Sequence, residues 1–204
     1  MGEVTISTFL TLDGVMQAPG GPEEDPQGGF PYGGWLVPHF DAETGEKMDE
    51  VFQKVDAFLL GRTTYEIFAS HWPKVDDPND PVASKLNALP KFVATRTLDR
   101  LEWGPATAVR DAAREVAALK DRFEGELQVH GSAGLAQTLI EHDLIDEYRL
   151  ITFPVVLGTG KRLFGPGAVP ATLKLVDART TSKGAVISTY RRGGAFETGS
   201  FALT

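Results

Sequence analysis

Two periodicities of hydrophobic and polar positions alternate along the chain. Short apolar or alternating runs at about residues 4–9, 57–60, 91–95 and 126–130 predict β-strands, as do the later runs DEYRLITF (146–153), LKLVDART (173–180) and AVISTYR (185–191). Between them the apolar spacing lengthens. In ETGEKMDEVFQKV, residues 43–55, the side chains of Met48, Val51, Phe52 and Val55 recur at i, i+3, i+4 and i+7, which predicts an amphipathic helix. DAAREVAALKDRF (111–123) and LAQTLIEHDLI (135–145) follow the same rule. Strands alternating with helices predict an α/β domain on a mostly parallel sheet. The last two strands, joined by TTSKGA (180–185), predict an antiparallel hairpin at the sheet's edge.

The stretch from Asp13 to about residue 43 breaks this alternation. It contains MQAPGGPEEDPQGGFPYGGW, dense in Gly and Pro with Phe30, Tyr32 and Trp35 among them, and is too long for an idle connection. With no internal repeat and no linker, residues 1–204 read as a single domain carrying one long loop.

Composition narrows the partners. A net charge of −8, from 20 basic and 28 acidic side chains, argues against nucleic acid or an anionic membrane surface, since both favour a positive field. Any phosphate must then be bound locally. With no cysteine the chain has no disulfide, thiolate metal site or cysteine nucleophile, which suits the cytoplasm. The N-terminal MGEVTISTFLTLDG carries an acid where a signal peptide has basic residues, and reads as a first strand. No apolar run reaches the roughly 20 residues of a membrane span.

Several familiar chemistries are excluded. GTGK at 158–161 is not a phosphate loop, because Val155 and Arg162 stand where Gly and Ser or Thr are needed. No G-x-G-x-x-G follows the first strand, and no G-x-S-x-G is present. The histidines at 39, 71, 130 and 142 lack metal-ligand spacing and read as ordinary polar residues, so no metal is expected. Three strand ends remain. Gly61, Arg62, Thr63 and Thr64 lead into a helix; Thr63 with Glu66 predicts a capping box, and the stretch is either a cap or an anion cradle. Thr95 and Arg96 end a second strand. Gly131, Ser132, Ala133 and Gly134 join a third strand to a helix, as a tight turn or as small residues that let a diphosphate approach the backbone. In an open α/β sheet the carboxyl ends of parallel strands share one edge, so the three would converge on one crevice.

In order, TISTFLTLDG, FLLGRTTYE, KFVATRTL and LQVHGSAGLAQTLIEHDLIDEYRLITFPVVLGTGKRLF resemble the dihydrofolate reductase-like superfamily, and most the reductase domain of RibD-type riboflavin-biosynthesis proteins, over roughly residues 3–191. The resemblance implies a three-layer α/β/α fold with a mixed, mostly parallel sheet, and NADPH across its carboxyl edge. Arg62 and Thr63 would hold phosphates beside Gly61 and Thr64. Thr95 and Arg96 would take the 2′-phosphate, and Gly131, Ser132, Ala133, Gly134 and Leu135 would wrap the diphosphate. Asp13 and Gly14 would line the substrate pocket, with Asp13 as hydrogen-bond partner or proton route. Phe30, Tyr32 and Trp35 on the long loop would close over a flat ring. The implied activity is reduction of a small heterocycle, most like 5-amino-6-(5-phosphoribosylamino)uracil; a dihydrofolate- or pteridine-type reductase and a non-catalytic NADPH-binding module are the alternatives. Of the acids near the helix after the loop, only Asp41 or Asp49 approximates the one typical of folate-reducing members. No Lys or Arg lies between Gln17 and His39 to meet a substrate phosphate. The deaminase half's H-x-E and P-C-x-x-C are absent. A homodimer is expected, paired through EYRLITFPVVL and the strands after Leu173.

Overall fold

The structure is a computed structural model that describes residues 2–77, 79–165 and 168–201. Its elements run β1 (Glu3–Thr11), α1 (Ala42–Gln53), β2 (Val55–Gly61), α2 (Arg62–His71), α3 (Pro81–Ala88), β3 (Lys91–Ala94), β4 (Ala106–Val109), α4 (Ala112–Lys120), β5 (Glu126–His130), α5 (Ala133–Glu141), β6 (Glu147–Phe153), β7 (Leu173–Thr180) and β8 (Val186–Arg192). The eight strands form one sheet in the order β4-β3-β2-β5-β1-β6-β8-β7. Neighbours from β4 to β6 are parallel, and β8 runs antiparallel to both β6 and β7. This is the mixed, mostly parallel sheet with a terminal hairpin that the hydrophobic pattern predicts. No helix among the described residues is long and apolar enough to cross a membrane.

Each face of the sheet buries one side of its strands. Val4, Ile6, Ala57, Leu59 and Leu127 pack with Val116 and Leu119 of α4 and Leu135 and Leu139 of α5. On the opposite face, Phe58, Leu60 and Val93 pack with Val51 and Phe52 of α1, Tyr65 of α2 and Leu86 of α3. Carboxylates start three of the helices: Asp41 accepts from the Thr44 amide (2.9 Å), Asp80 from Val82 and Ala83 (2.9 Å each), and Asp111 from Arg114 (3.3 Å). Helices α2 and α5 begin at Gly61 and Ser132 with no side-chain cap. The capping box expected from Thr63 and Glu66 does not form, because Gly61 is the N-cap and Thr63 already lies inside the first turn.

Other boundaries move as well. Val55 opens β2 rather than closing α1, and the structure adds α3 and β4, which the hydrophobic pattern does not predict. β6 lies inside the sheet between β1 and β8, so its bulky groups on both faces serve the core: Tyr148 and Leu150 join one cluster, Ile151 and Phe153 another. They are not evidence of an edge seeking a partner. The edge strand is β7, where Leu175 and Val176 are 52% and 54% exposed.

A ladder of charge crosses the middle of the sheet. Arg149 on β6 donates from both terminal nitrogens to the two Glu126 oxygens on β5 (2.7 Å each) and from Nε to Glu147 (2.6 Å); Arg191 on β8 continues it to Glu147 (2.8 Å) and Glu3. Arg149 and Glu147 are buried. Removing one member of a buried ion pair strands its partner in a poor solvent for charge. We therefore expect Arg149→Leu to lower unfolding stability by about 3–5 kcal/mol in urea titrations at neutral pH. Burial alone would push the Glu126 carboxyl up, but the paired Arg149 holds it below its usual 4.5. The stabilisation is accordingly present above that value and lost as pH falls through the folded pKa, so the wild-type advantage should narrow in acid.

Candidate functional site

The carboxyl ends of β3, β2, β5 and β1 open onto a crevice of about 1780 Å³. All three predicted strand ends line it: Gly61 to Thr64, Thr95 with Arg96, and Gly131 to Leu135. Their convergence follows from the strand order, which sets β2 between β3 and β5 in parallel.

One hydroxyl organises the centre. Ser132 Oγ accepts from the Gly61 amide (2.9 Å) and donates to the His130 carbonyl (2.9 Å), while the Ser132 amide donates to Thr64 Oγ1 (3.0 Å). These bonds lock the ends of β2 and β5 together. They require two consecutive left-handed residues, Gly131 at φ +53° and Ser132 at φ +61°. They also engage the Ser132 side chain that would otherwise cap α5, while the N-cap of α2 is Gly61 with no side chain to offer, so the first-turn amides of both helices lack side-chain acceptors at the crevice wall. Such amides attract anions. A Cβ built on Gly134 would meet nothing within 4 Å, so the first turn of α5 leaves open space there.

Cations gather at the β3 side. Arg62 and Arg96 line the crevice, and their side chains form no hydrogen bond or ion pair with the other described residues. Thr95 is buried; its hydroxyl accepts from the Thr97 and Leu98 amides (3.2 and 3.1 Å), which presents the following arginine. Arg110 also lines this end and donates to the Thr95 carbonyl (3.1 Å). The pattern gave it no signal, because it follows β4, a strand of small residues.

The opposite end differs from expectation. Asp13, Gly14 and Trp35 do not line the crevice. Asp13 accepts from the Thr11 hydroxyl (2.7 Å), the Leu157 and Gly158 amides (3.2 and 2.8 Å) and Arg162 (3.1 Å). The Thr11 bond, with the two amides overcoming a burial effect of opposite sign, holds its carboxyl down at about 2. A carboxylate so engaged is a tie between loops and holds no proton to give near neutral pH. Gly14 occupies the turn at φ +80°. Trp35 is buried, donates Nε1–H to the Gln17 carbonyl (2.8 Å) and packs edge-on against Phe153 (6.0 Å). Phe30 is buried beside Val15 rather than over the opening, and Tyr32 is half-exposed. The ring-sized space is lined instead by Phe9, Met16, Met48, Phe52 and His130. Asp41 caps α1, whereas Asp49 lines the crevice with no ion pair among the described residues. Glu24 and Asp25 stand on the same wall, Asp25 paired to Lys161 at 2.6 Å. No group of three or more metal-ligating side chains occurs among the described residues.

The strand order, with β8 reversed and the crevice along the carboxyl edge of the parallel strands, is a dihydrofolate reductase-like fold. The chain belongs to the RibD C-terminal domain family, whose profile matches residues 3–187. It is 29% identical over 194 residues to the Bacillus subtilis (strain 168) protein YyaP, covering 94% of this chain and 95% of that one. Its fold is similar to that of a protein assigned to riboflavin biosynthesis in Shewanella sp. PV-4 (TM-score 0.70, 23% identity, 94% and 99% of the two chains). It is also similar to dihydrofolate reductase from Enterococcus faecalis complexed with NADP(H) (TM-score 0.60, 16% identity, 94% and 97%).

The Asp13 geometry sets an expectation of its own. Asp13→Asn should cost about 1–3 kcal/mol of stability in denaturant titrations, by weakening charge-assisted bonds to two amides and Arg162. Cofactor affinity, measured by titration, should stay within about twofold of wild type, since Asp13 lies off the crevice.

Proposed function

We propose that the chain is an NADPH-dependent reductase of a small, flat heterocycle. The observation that supports this best is the meeting of two uncapped helix starts with two unpaired arginines on one crevice. The amides from Gly131 to Leu135 and those opening α2 suit a diphosphate, with Thr63 and Thr64 at its side. Arg96, presented by the Thr95 turn, suits a 2′-phosphate, and Arg62 the diphosphate; a guanidinium offers paired, charge-assisted donors to either. NADPH, when bound, supplies hydride. The chain's own task is to orient the two rings and exclude water, for which Phe9, Met48 and Phe52 provide apolar walls.

The acceptor we infer is a pyrimidine of the riboflavin-precursor kind, without its phosphate. Glu24, Asp25 and Asp49 line the substrate end, and the nearby cations Lys161 and Arg162 are already paired with Asp25 and Asp13. A phosphate there would meet like charge. A pteridine-type acceptor is the second reading, favoured by Asp49 on the helix after the long loop. A homodimer through the exposed edge of β7 belongs to the same proposal, because Leu175 and Val176 leave an apolar edge open to pairing.

Calorimetric titration is expected to show NADPH binding more tightly than NADH, with Arg96→Ala costing roughly 10- to 100-fold in NADPH affinity and little in NADH affinity. Gly134→Val should fold normally, because its side chain enters open space, yet lose both cofactors. Equal affinity for the two cofactors in wild type would remove the 2′-phosphate assignment. Light scattering at micromolar concentration should give twice the chain mass of 22.1 kDa, and Leu175→Lys with Val176→Lys should return it to the single-chain value.

A further inference from the structure

The floor of the crevice carries two almost fully buried polar side chains, each with one atom that no other described residue engages. Ser7 on β1 and His130 on β5 are register partners across the parallel ladder, so they emerge on the same face of the sheet. Both line the crevice, and they are only 4% and 5% exposed. Neither Ser7 Oγ nor His130 Nδ1 has a partner among the described residues, yet among those residues no fully enclosed side-chain nitrogen or oxygen lacks one. What access these two atoms keep is therefore to the crevice.

The protonation of His130 is fixed from behind. Gln128 Nε2 donates to the Val51 carbonyl (2.7 Å) and to Glu126 Oε2 (2.8 Å). Both partners only accept, which places the amide nitrogen there and turns Gln128 Oε1 toward His130 Nε2 at 3.1 Å. That oxygen also only accepts, so Nε2 carries the hydrogen and Nδ1 presents a bare lone pair. Glu126 is held in turn by both terminal nitrogens of Arg149, and the ring stacks on Phe52 at 4.8 Å. Burial, then the Arg149 charge, pushes the imidazole down to about 3, so it is neutral over the physiological range. The Gln128 and Arg149 chain thus holds one tautomer in one orientation.

We propose that His130 Nδ1 and the Ser7 hydroxyl are the ring-recognition site of this crevice, selecting an uncharged lactam or ureide heterocycle through its ring N–H. A bare nitrogen takes a hydrogen, and a hydroxyl beside it gives or takes one, which matches a ring edge where N–H adjoins C=O. An ionised carboxylate or a dianionic phosphate ester has no hydrogen to offer Nδ1. The class of ligand rests on the reductase reading; the tautomer does not.

The test uses the whole chain labelled with 15N, whose histidine ring shifts report the tautomer directly. His130 should show hydrogen on Nε2 and none on Nδ1 from about pH 5 to 9. 5,6-Diaminouracil should then move the Nδ1 resonance and bind at least about tenfold more tightly than its 1,3-dimethyl form, which keeps the ring and lacks both ring N–H groups. Ser7→Ala and His130→Phe should each reduce that discrimination while leaving NADPH affinity unchanged; Ser7→Ala serves if the larger change prevents folding. Hydrogen on Nδ1 in the free protein, equal binding of the two uracils, an Nδ1 resonance unmoved at saturation, or no binding of either uracil would each overturn the assignment. Failure of the reductase reading would show separately, as absent NADPH binding, because the tautomer and uracil titrations are read without cofactor.

Discussion

The mouth of the crevice depends on the Ser132 hydroxyl. By accepting from Gly61 and donating to the His130 carbonyl, it welds two strand ends that lie 71 residues apart in the chain. The Thr64 hydroxyl completes the weld by accepting the Ser132 amide. Ser132 stands at the N-cap of α5, and Thr64 in the first turn of α2, whose own N-cap Gly61 has no side chain, so neither helix start receives a side-chain cap. The amides of two helix first turns are consequently left facing a shared space, and polarity is concentrated where an anion can use it. The three helices that begin elsewhere carry an aspartate at that position.

Charge is graded along the crevice. Free guanidinium groups stand beside β3, uncapped amides beside β2 and β5, and carboxylates with aromatic rings beside β1 and α1. The grading is supported from within the sheet. A strand face bearing Glu126 and Gln128 on β5 and Glu147 and Arg149 on β6 would be costly in an ordinary core, and it is sustained here because each charge has a partner at 2.6–2.8 Å. The same ladder ends at His130, so what holds the sheet's middle together also sets the polarity of the crevice floor.

Much of this was legible in sequence. The run 126–130 and the run 173–180 match their strands to the residue, and the turns after Gly61, Thr95 and Gly131 meet on one edge as their places after parallel strands imply. Helix α3 was hidden because Val82, Ala83 and Leu86 sit between Pro81 and Pro90, where breakers mask the spacing. β4 was hidden because Ala106–Val109 is short and small. Asp13 was misleading for a different reason: the amides that claim it belong to Leu157 and Gly158, 144 and 145 positions later, and no local pattern announces such a meeting. His130 read as ordinary for the same cause, since its meaning comes from Gln128, Val51 and Arg149 assembled around it.

The loop after β1 and the loop after β6 are stitched into a single wall. Val15 bridges Arg162, the Met16 amide donates to the Lys161 carbonyl (2.8 Å), Gln17 accepts from the Lys161 amide (3.0 Å), and Asp13 ties to Arg162. In the history of such a chain the two segments are not free to drift separately. A lineage that reshapes the Gly- and Pro-rich loop toward a new acceptor has to carry a matching change in the segment after β6, and an exchange of either loop alone between relatives would deliver half a wall.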